Sequence, residues 1–234
     1  MNVLKKAIIN GQSSLSEYES KQILSAYQIP VVKEILVDNN KDFINALKET
    51  GYPLVLKGCS PRITHKTEKN LIKLDLRNED EATRAYNEII ASIDGKKTVL
   101  VQEMVKGTRE LVVGLTRDPQ FGPTVMFGLG GIFTEILKDI SFRLAPLEKN
   151  DALDMIREIK GHKILEAVRG MEKVDIDILA DILINVGKIG LENEKINEID
   201  INPLIISGNK PIAVDALMIL ESNNTVRDNT QLKA

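Results

Sequence analysis

The chain has 234 residues, enough for one large domain or two lobes. It is 43% hydrophobic and 28% charged with a net charge of −3, which gives no bulk electrostatic attraction for nucleic acid or an anionic membrane. The single cysteine, Cys59, excludes an internal disulfide, no apolar run approaches the ~20 residues of a membrane helix, and Met1–Lys6 lacks the apolar core of a signal peptide, so a reducing cytoplasm is the expected compartment.

Ser16-Glu17-Tyr18-Glu19 reads as a capping box that starts a helix to about Gln28, and Pro30 stops it. Val31 to Val37 reads as a strand. Asn40 to Thr50 is a short helix with Phe43, Ala46 and Leu47 inward, closed by Gly51. Pro53 to Gly58 is a buried strand ending in Lys57, a lysine that either snorkels to solvent or holds a ligand anion. A polar segment carries His65 among Ser, Thr and Lys, so a packed core histidine is disfavoured there; a solvated loop histidine and a phosphoryl-carrying nucleophile both fit. Leu71 to Leu76 alternates as a strand, and the apolar positions from Ala82 to Ile93 follow a 3.6 period. Thr98 to Val105, Glu110 to Thr116 and Pro123 to Phe127 read as strands. The Glu103-Val105 connector could offer backbone groups to an adenine edge, with Glu110 near ribose hydroxyls, or be an ordinary hairpin.

Gly128-Leu129-Gly130-Gly131 follows a hydrophobic strand; exposed amides there can cradle phosphate, or the glycines can serve a tight turn. It has neither the P-loop spacing nor the dinucleotide fingerprint. Ile132 to Leu144 reads as one or two strands; Arg143 in it is a donor fork suited to phosphate, or a surface arginine. Lys149 to Gly161 and Lys163 to Gly170 read as helices, with His162 structural between them. Asp175 to Leu191 is a strong amphipathic helix. Next, Glu198, Asp200 and Asn202 alternate with Ile199 and Ile201, and Gly208-Asn209 is a two-residue hairpin signal. Counting outward from that turn puts Asn202 opposite Asp215, and directly opposed side chains have Cβ atoms ~4.5–5.5 Å apart. An amide oxygen and a carboxylate there make a hard-cation site suited to magnesium, or simply the polar face of a surface hairpin. Glu221 to Ala234 reads as a polar tail.

Alternating strands and helices followed by antiparallel pairs argue for an α+β fold of two lobes. The expected division is a smaller lobe over 29–104, a larger lobe over 105–221 with helix 14–28 packed on it, and a tail over 222–234.

Taken in order, seven segments resemble one family. They are the strand-ending Lys57, Ser60-Pro61 with His65-Lys66-Thr67, Gln102-Glu103-Met104-Val105 with Glu110, Gly128 to Glu135, Ser141 to Pro146, Asp200 to Leu204, and Val214-Asp215-Ala216. The chain is similar to the ATP-grasp subunit of ADP-forming acyl-CoA synthetases, relatives of succinyl-CoA synthetase. The resemblance implies an ATP-grasp fold and the reaction acyl-CoA + ADP + phosphate = acid + CoA + ATP. It also implies a phosphohistidine relay, Mg2+, and ATP or ADP as substrate. It implies a larger alpha subunit carrying the CoA-binding and phosphohistidine domains, in an α2β2 heterotetramer, with no nucleic-acid or membrane partner. By position, Lys57 would hold nucleotide phosphates, and Glu103, Val105 and Glu110 the base and ribose. Gly130, Gly131 and Arg143 would lie along the phosphates, Asn202 and Asp215 would be the magnesium ligands, and His65 would relay phosphoryl to ADP. Two departures are visible: Glu68-Lys69-Asn70 replaces a common glycine pair, and Arg62 stands where an acidic or amide residue is frequent. Alternatives are a free-standing ATP-grasp ligase, in which His65 has no role, and a non-catalytic nucleotide-sensing subunit.

Overall fold

A computed structural model of the chain describes residues 3–60, 71–93, 95, 97–131, 139–167 and 170–221. Its helices begin where local chemistry satisfies free amides. In α2 (Glu17–Ala26) the Ser16 Oγ accepts from the Glu19 amide at 3.3 Å and the Glu19 carboxylate accepts from the Ser16 amide at 2.9 Å, the reciprocal cap read from the sequence. Asn39 and Asn78 cap α3 (Asn40–Thr50) and α4 (Glu79–Ser92) in the same manner. A short helix, α1 (Val3–Ile9), precedes them.

Among the described residues the strands form two antiparallel sheets. The smaller has the order β1 (Glu34–Val37), β4 (Val99–Glu103), β2 (Leu54–Gly58), β3 (Ile72–Leu76). One face is covered by α3 and α4, with Phe43, Leu47, Leu56, Ile89 and Val101 buried between them. The other face carries Glu34, Val55, Lys57 and Gln102, as the register fixes: Glu34 and Val55 both pair with Gln102.

The larger sheet runs β10 (Leu217–Leu220), β8 (Ile196–Ser207), β5 (Glu110–Asp118), β6 (Gly122–Leu129), β7 (Ile140–Leu144). β9 (Lys210–Ala213) pairs with the second half of β8. α5 (Lys149–Glu158) and α6 (Ile176–Glu192) cover one face, burying Leu115, Val125, Ile182, Val186 and Ile199. Leu15, Leu24 and Ile29 of the N-terminal segment belong to this second core. Buried Arg109 fastens the hairpin turn, donating to the carbonyls of Gly208 at 2.9 Å, Glu172 at 2.8 Å and Ile164 at 3.2 Å.

One local expectation differs from the structure, and two segments are specified by it. The α-helix expected from Lys163 is replaced by a 3-10 turn over Lys160–Leu165, and residues 168–169 of that expectation lie outside the described ones. Asp139 causes this by accepting from the amides of Lys160 at 2.7 Å and Gly161 at 2.6 Å, which draws the chain out of the α5 path. The strand within 132–144 is β7, and residues 132–138 lie outside the described ones. Leu217–Leu220, unassigned in the sequence, forms β10.

Candidate functional site

The hairpin register is the one the turn dictates: Ser207 pairs with Lys210, Ile205 with Ile212 and Leu204 with Ala213, and the Val214 amide donates to the Pro203 carbonyl at 3.1 Å. β9 ends there, and pairing resumes in the same count with Leu217 against Asp200. Residues 214–216 are therefore a connector between two strands that flank one edge of β8. Asn202 and Asp215 each adjoin the Pro203–Val214 bond, which brings them to one place. Asn202 is exposed and Asp215 partly buried.

Lys57 enters from the smaller sheet. Its ammonium is buried, bonded to Glu17 Oε1 at 2.8 Å and to the Val214 carbonyl at 3.0 Å, with Asp215 Oδ2 at 3.8 Å. A lysine has three N–H donors, and the third has no acceptor within hydrogen-bond distance among the described residues. Asp215 Oδ2 lies beyond that distance, so an anionic oxygen could complete the ammonium.

A second carboxylate, Asp200, lies close enough to Asp215 to feel its charge. Asp200 is pushed up to about 6, first by burial and then by the negative charges of Glu198 and Asp215. This concentration of carboxylate suits a divalent cation. Among the described residues no three His, Cys, Asp or Glu side chains form a closed cage. The donor set of one carboxylate and one amide oxygen instead fits magnesium, which keeps several waters and takes phosphate oxygens. When bound, magnesium would supply charge neutralisation to phosphate oxygens, held by Asn202 and Asp215.

The glycines lie along the neighbouring strand. The Gly130 amide donates to the Glu110 carbonyl at 2.7 Å, and a Cβ at Gly130 would stand 2.8 Å from Glu110 C and 2.9 Å from Leu111 N. Gly131 has φ +64, and its hypothetical Cβ would stand 3.1 Å from Glu110 Oε2. Glu110, Gly130 and Gly131 are thus one unit, with the Glu110 carboxylate exposed above the loop. Glu103 is held by Lys33, whose amide donates to its carboxylate at 3.1 Å, while the Glu103 amide donates back to the Lys33 carbonyl at 3.0 Å. Val105 follows it, half-buried in the connector between the sheets.

Arg143 is not brought to the others. It pairs with Val125 on the face covered by α5, where its guanidinium is bound by Glu158, donating to Oε2 at 3.0 Å and more closely to Oε1. The Glu158 carboxylate raises the guanidinium's proton affinity, and the guanidinium holds Glu158 below the usual carboxylate range. Strand alternation turns Arg143 away from the face that carries Asp200, so the structure does not bring it to the other residues expected to bind phosphate. His65 lies outside the described residues.

Residues the sequence reading passed over complete the junction. Lys21 is buried, bonded to Glu17 at 2.7 Å, to Glu34 and to the Val214 carbonyl at 3.2 Å. Gln102, also buried, donates to the same carbonyl at 2.9 Å. Burial pushes the Glu34 carboxyl up, against the opposing pull of Lys21. Glu17 and Lys21 have i,i+4 spacing, which read alone is a surface ion pair; their burial shows only in three dimensions.

A lysine from one sheet meeting a carboxylate from a strand connector of the other, with a glycine loop at the end of a strand of that second sheet, is the arrangement of a two-lobed phosphate clamp. The ATP-grasp domain family matches residues 6–220. The chain belongs to the ATP-grasp family. The ATP-grasp chain is 47% identical over 212 residues to the beta subunit of acetate–CoA ligase [ADP-forming] I from Pyrococcus furiosus, covering 88% of this chain and 91% of that one. It superposes with TM-score 0.89 and 45% identity on dinucleotide-forming acetyl-coenzyme A synthetase 1 of Ca. Korarchaeum cryptofilum in complex with coenzyme A and Ca-AMPCP, covering 94% of this chain and 98% of that one. The same synthetase in complex with coenzyme A and Mg-AMPPCP, its phosphohistidine segment pointing towards the nucleotide binding site, gives 0.83 and 48% over the same shares. The expected α+β ATP-grasp fold, the likeness to ADP-forming ligase beta subunits and the pairing of such subunits with a larger one agree with these findings. No helix among the described residues is long and apolar enough to cross a membrane.

Proposed function

We propose that this chain is the nucleotide-binding subunit of an ADP-forming acyl-CoA synthetase, acting in the cytoplasm as half of an α2β2 assembly with a larger CoA-binding subunit. The observation that carries the reading is the meeting of Lys57 and Asp215, 3.8 Å apart across two sheets, in a chain of this family. Residues 29–104 and 105–221 are the two halves of the clamp. Lys57 and the amides of Gly130 and Gly131 receive phosphate oxygens, Glu110 the ribose, and Glu103 and Val105 the base. Asn202 and Asp215 hold magnesium. Phosphoryl transfer needs position and charge neutralisation more than covalent help, and these groups supply both.

His65 carries the relay. Its ring nitrogen forms a bond to phosphorus as the partner's histidine releases it, and ADP then takes the phosphoryl group to become ATP, restoring neutral imidazole. The test is co-purification with the larger subunit, followed by ATP synthesis from a panel of acyl-CoA thioesters, ADP and phosphate. ATP formation that requires both subunits and is abolished by His65→Ala, with ADP binding retained, supports the reading. Ligase activity of the isolated chain, or normal turnover by His65→Ala, overturns it.

A further inference from the structure

The buried cluster at the junction contributes something beyond cohesion. Two lysines, two glutamates and a glutamine from α2, β1, β2 and β4 surround one backbone oxygen, the carbonyl of Val214. It accepts from Lys57 at 3.0 Å, Lys21 at 3.2 Å and Gln102 at 2.9 Å. A carbonyl has two lone pairs, so three donors hold it from more directions than pairing alone requires. The Val214 amide is tied the other way, to Pro203. Val214, the residue just before Asp215, is thus held at both its amide and its carbonyl.

Buried ion pairs are poor stabilisers, because desolvation offsets their attraction and apolar residues would serve as well. Gln102 adds a second cost: its Oε1 is buried with no hydrogen-bond partner among the described residues. A core built for stability would not retain that amide. What the cluster does achieve is to set one backbone position immediately before Asp215, with donors drawn from the opposite sheet and from α2.

We infer that Glu17, Lys21 and Gln102 are positioning residues for the nucleotide site: they lock the Val214 carbonyl so that Asp215 and Lys57 keep a fixed spacing for a magnesium–nucleotide complex. Glu17 acts twice, by holding Lys57 and Lys21 together. Gln102 donates to Val214 at 2.9 Å and, at the longer distance of 3.4 Å, to the Glu34 carboxylate. This rests on the assignment of Asp215 to magnesium proposed above.

Gln102→Met separates position from stability, because with the donor to Val214 and the long bond to Glu34 it also removes the orphaned oxygen, whose burial offsets their loss. Calorimetric titration of the full chain with ADP, with and without magnesium, is the measurement. In Gln102→Met the magnesium concentration needed for half-saturation rises about tenfold, as expected for a lost hydrogen bond that sets a ligand's place. Affinity for metal-free ADP stays within about twofold and the melting temperature does not fall. A purely structural residue would move stability and both affinities together. Should the methionine variant not fold, Gln102→Asn, whose amide is withdrawn by one methylene, gives the same shift. A wild-type magnesium requirement in Gln102→Met while Asp215→Asn raises it overturns the positioning role alone. An unchanged requirement in Asp215→Asn as well overturns the metal assignment and this inference with it.

Discussion

Gly130 and Glu110 meet backbone to backbone: the Gly130 amide donates to the Glu110 carbonyl at 2.7 Å, and a Cβ on Gly130 would sit 2.8 Å from the carbonyl carbon. The obstacle is main chain in the middle of the larger sheet, so it cannot swing aside. Gly130→Ala is expected to cost ~1–3 kcal/mol by overpacking and to lower ADP affinity through the displaced loop. Gly131→Ala meets only the flexible end of Glu110 but must adopt φ +64, at a cost of roughly 1–2 kcal/mol. Urea unfolding of the two variants checks the order.

Asp200 gives a pH signature. Its folded value of about 6 lies above the ordinary 3.8, so the charged form is disfavoured in the folded chain. A raised carboxylate favours folding while protonated, and that contribution is lost as pH climbs from about 4 through about 6. Asp200→Asn is therefore expected to stabilise the metal-free chain by about 1–2 kcal/mol at pH 7, discounted from the full shift for partial solvation, and hardly at all at pH 4. Thermal melts of both proteins at the two pH values test the sign.

Lys21 holds two buried carboxylates, Glu17 and Glu34. Lys21→Met leaves them short of a counter-charge and is expected to destabilise the chain by ~3–5 kcal/mol. Adding Glu34→Leu removes one orphan and is expected to recover part of that loss. A double-mutant cycle by chemical denaturation measures the recovery.

Arg143 provides the contrast. Its partner Glu158 is about half exposed, and the pair sits on the helix-covered face. Arg143→Leu is expected to change stability by no more than ~1 kcal/mol and to leave ADP affinity unchanged. A large loss of affinity in calorimetry would return Arg143 to the phosphate site.

What the sequence discloses and what it hides divide by range. The reciprocal cap of α2 and the β8–β9 register come from chemistry within a few residues, and both were readable. Lys57 stood out because a lysine on a buried strand is unusual, but Glu17, forty residues earlier, could not be linked to it by spacing. The helix expected over Lys163 to Gly170 failed for the same reason: its periodicity was outweighed by Asp139, more than twenty residues upstream, which captures the Lys160 and Gly161 amides. The side of the sheet that Arg143 takes was not legible, because a donor fork has no direction until the strand's register assigns it one.

The three-residue link over 214–216 has no slack. β9 and β10 both align against β8 in one continuous count, so the spacer between them is a measured length, not a loop free to vary. An extra residue at the 208–209 tip can bulge outward into solvent. One inserted between Ala213 and Leu217 must either break the downstream ladder or swing the Asp215 carboxylate off its target, so length variation in this hairpin belongs at the tip.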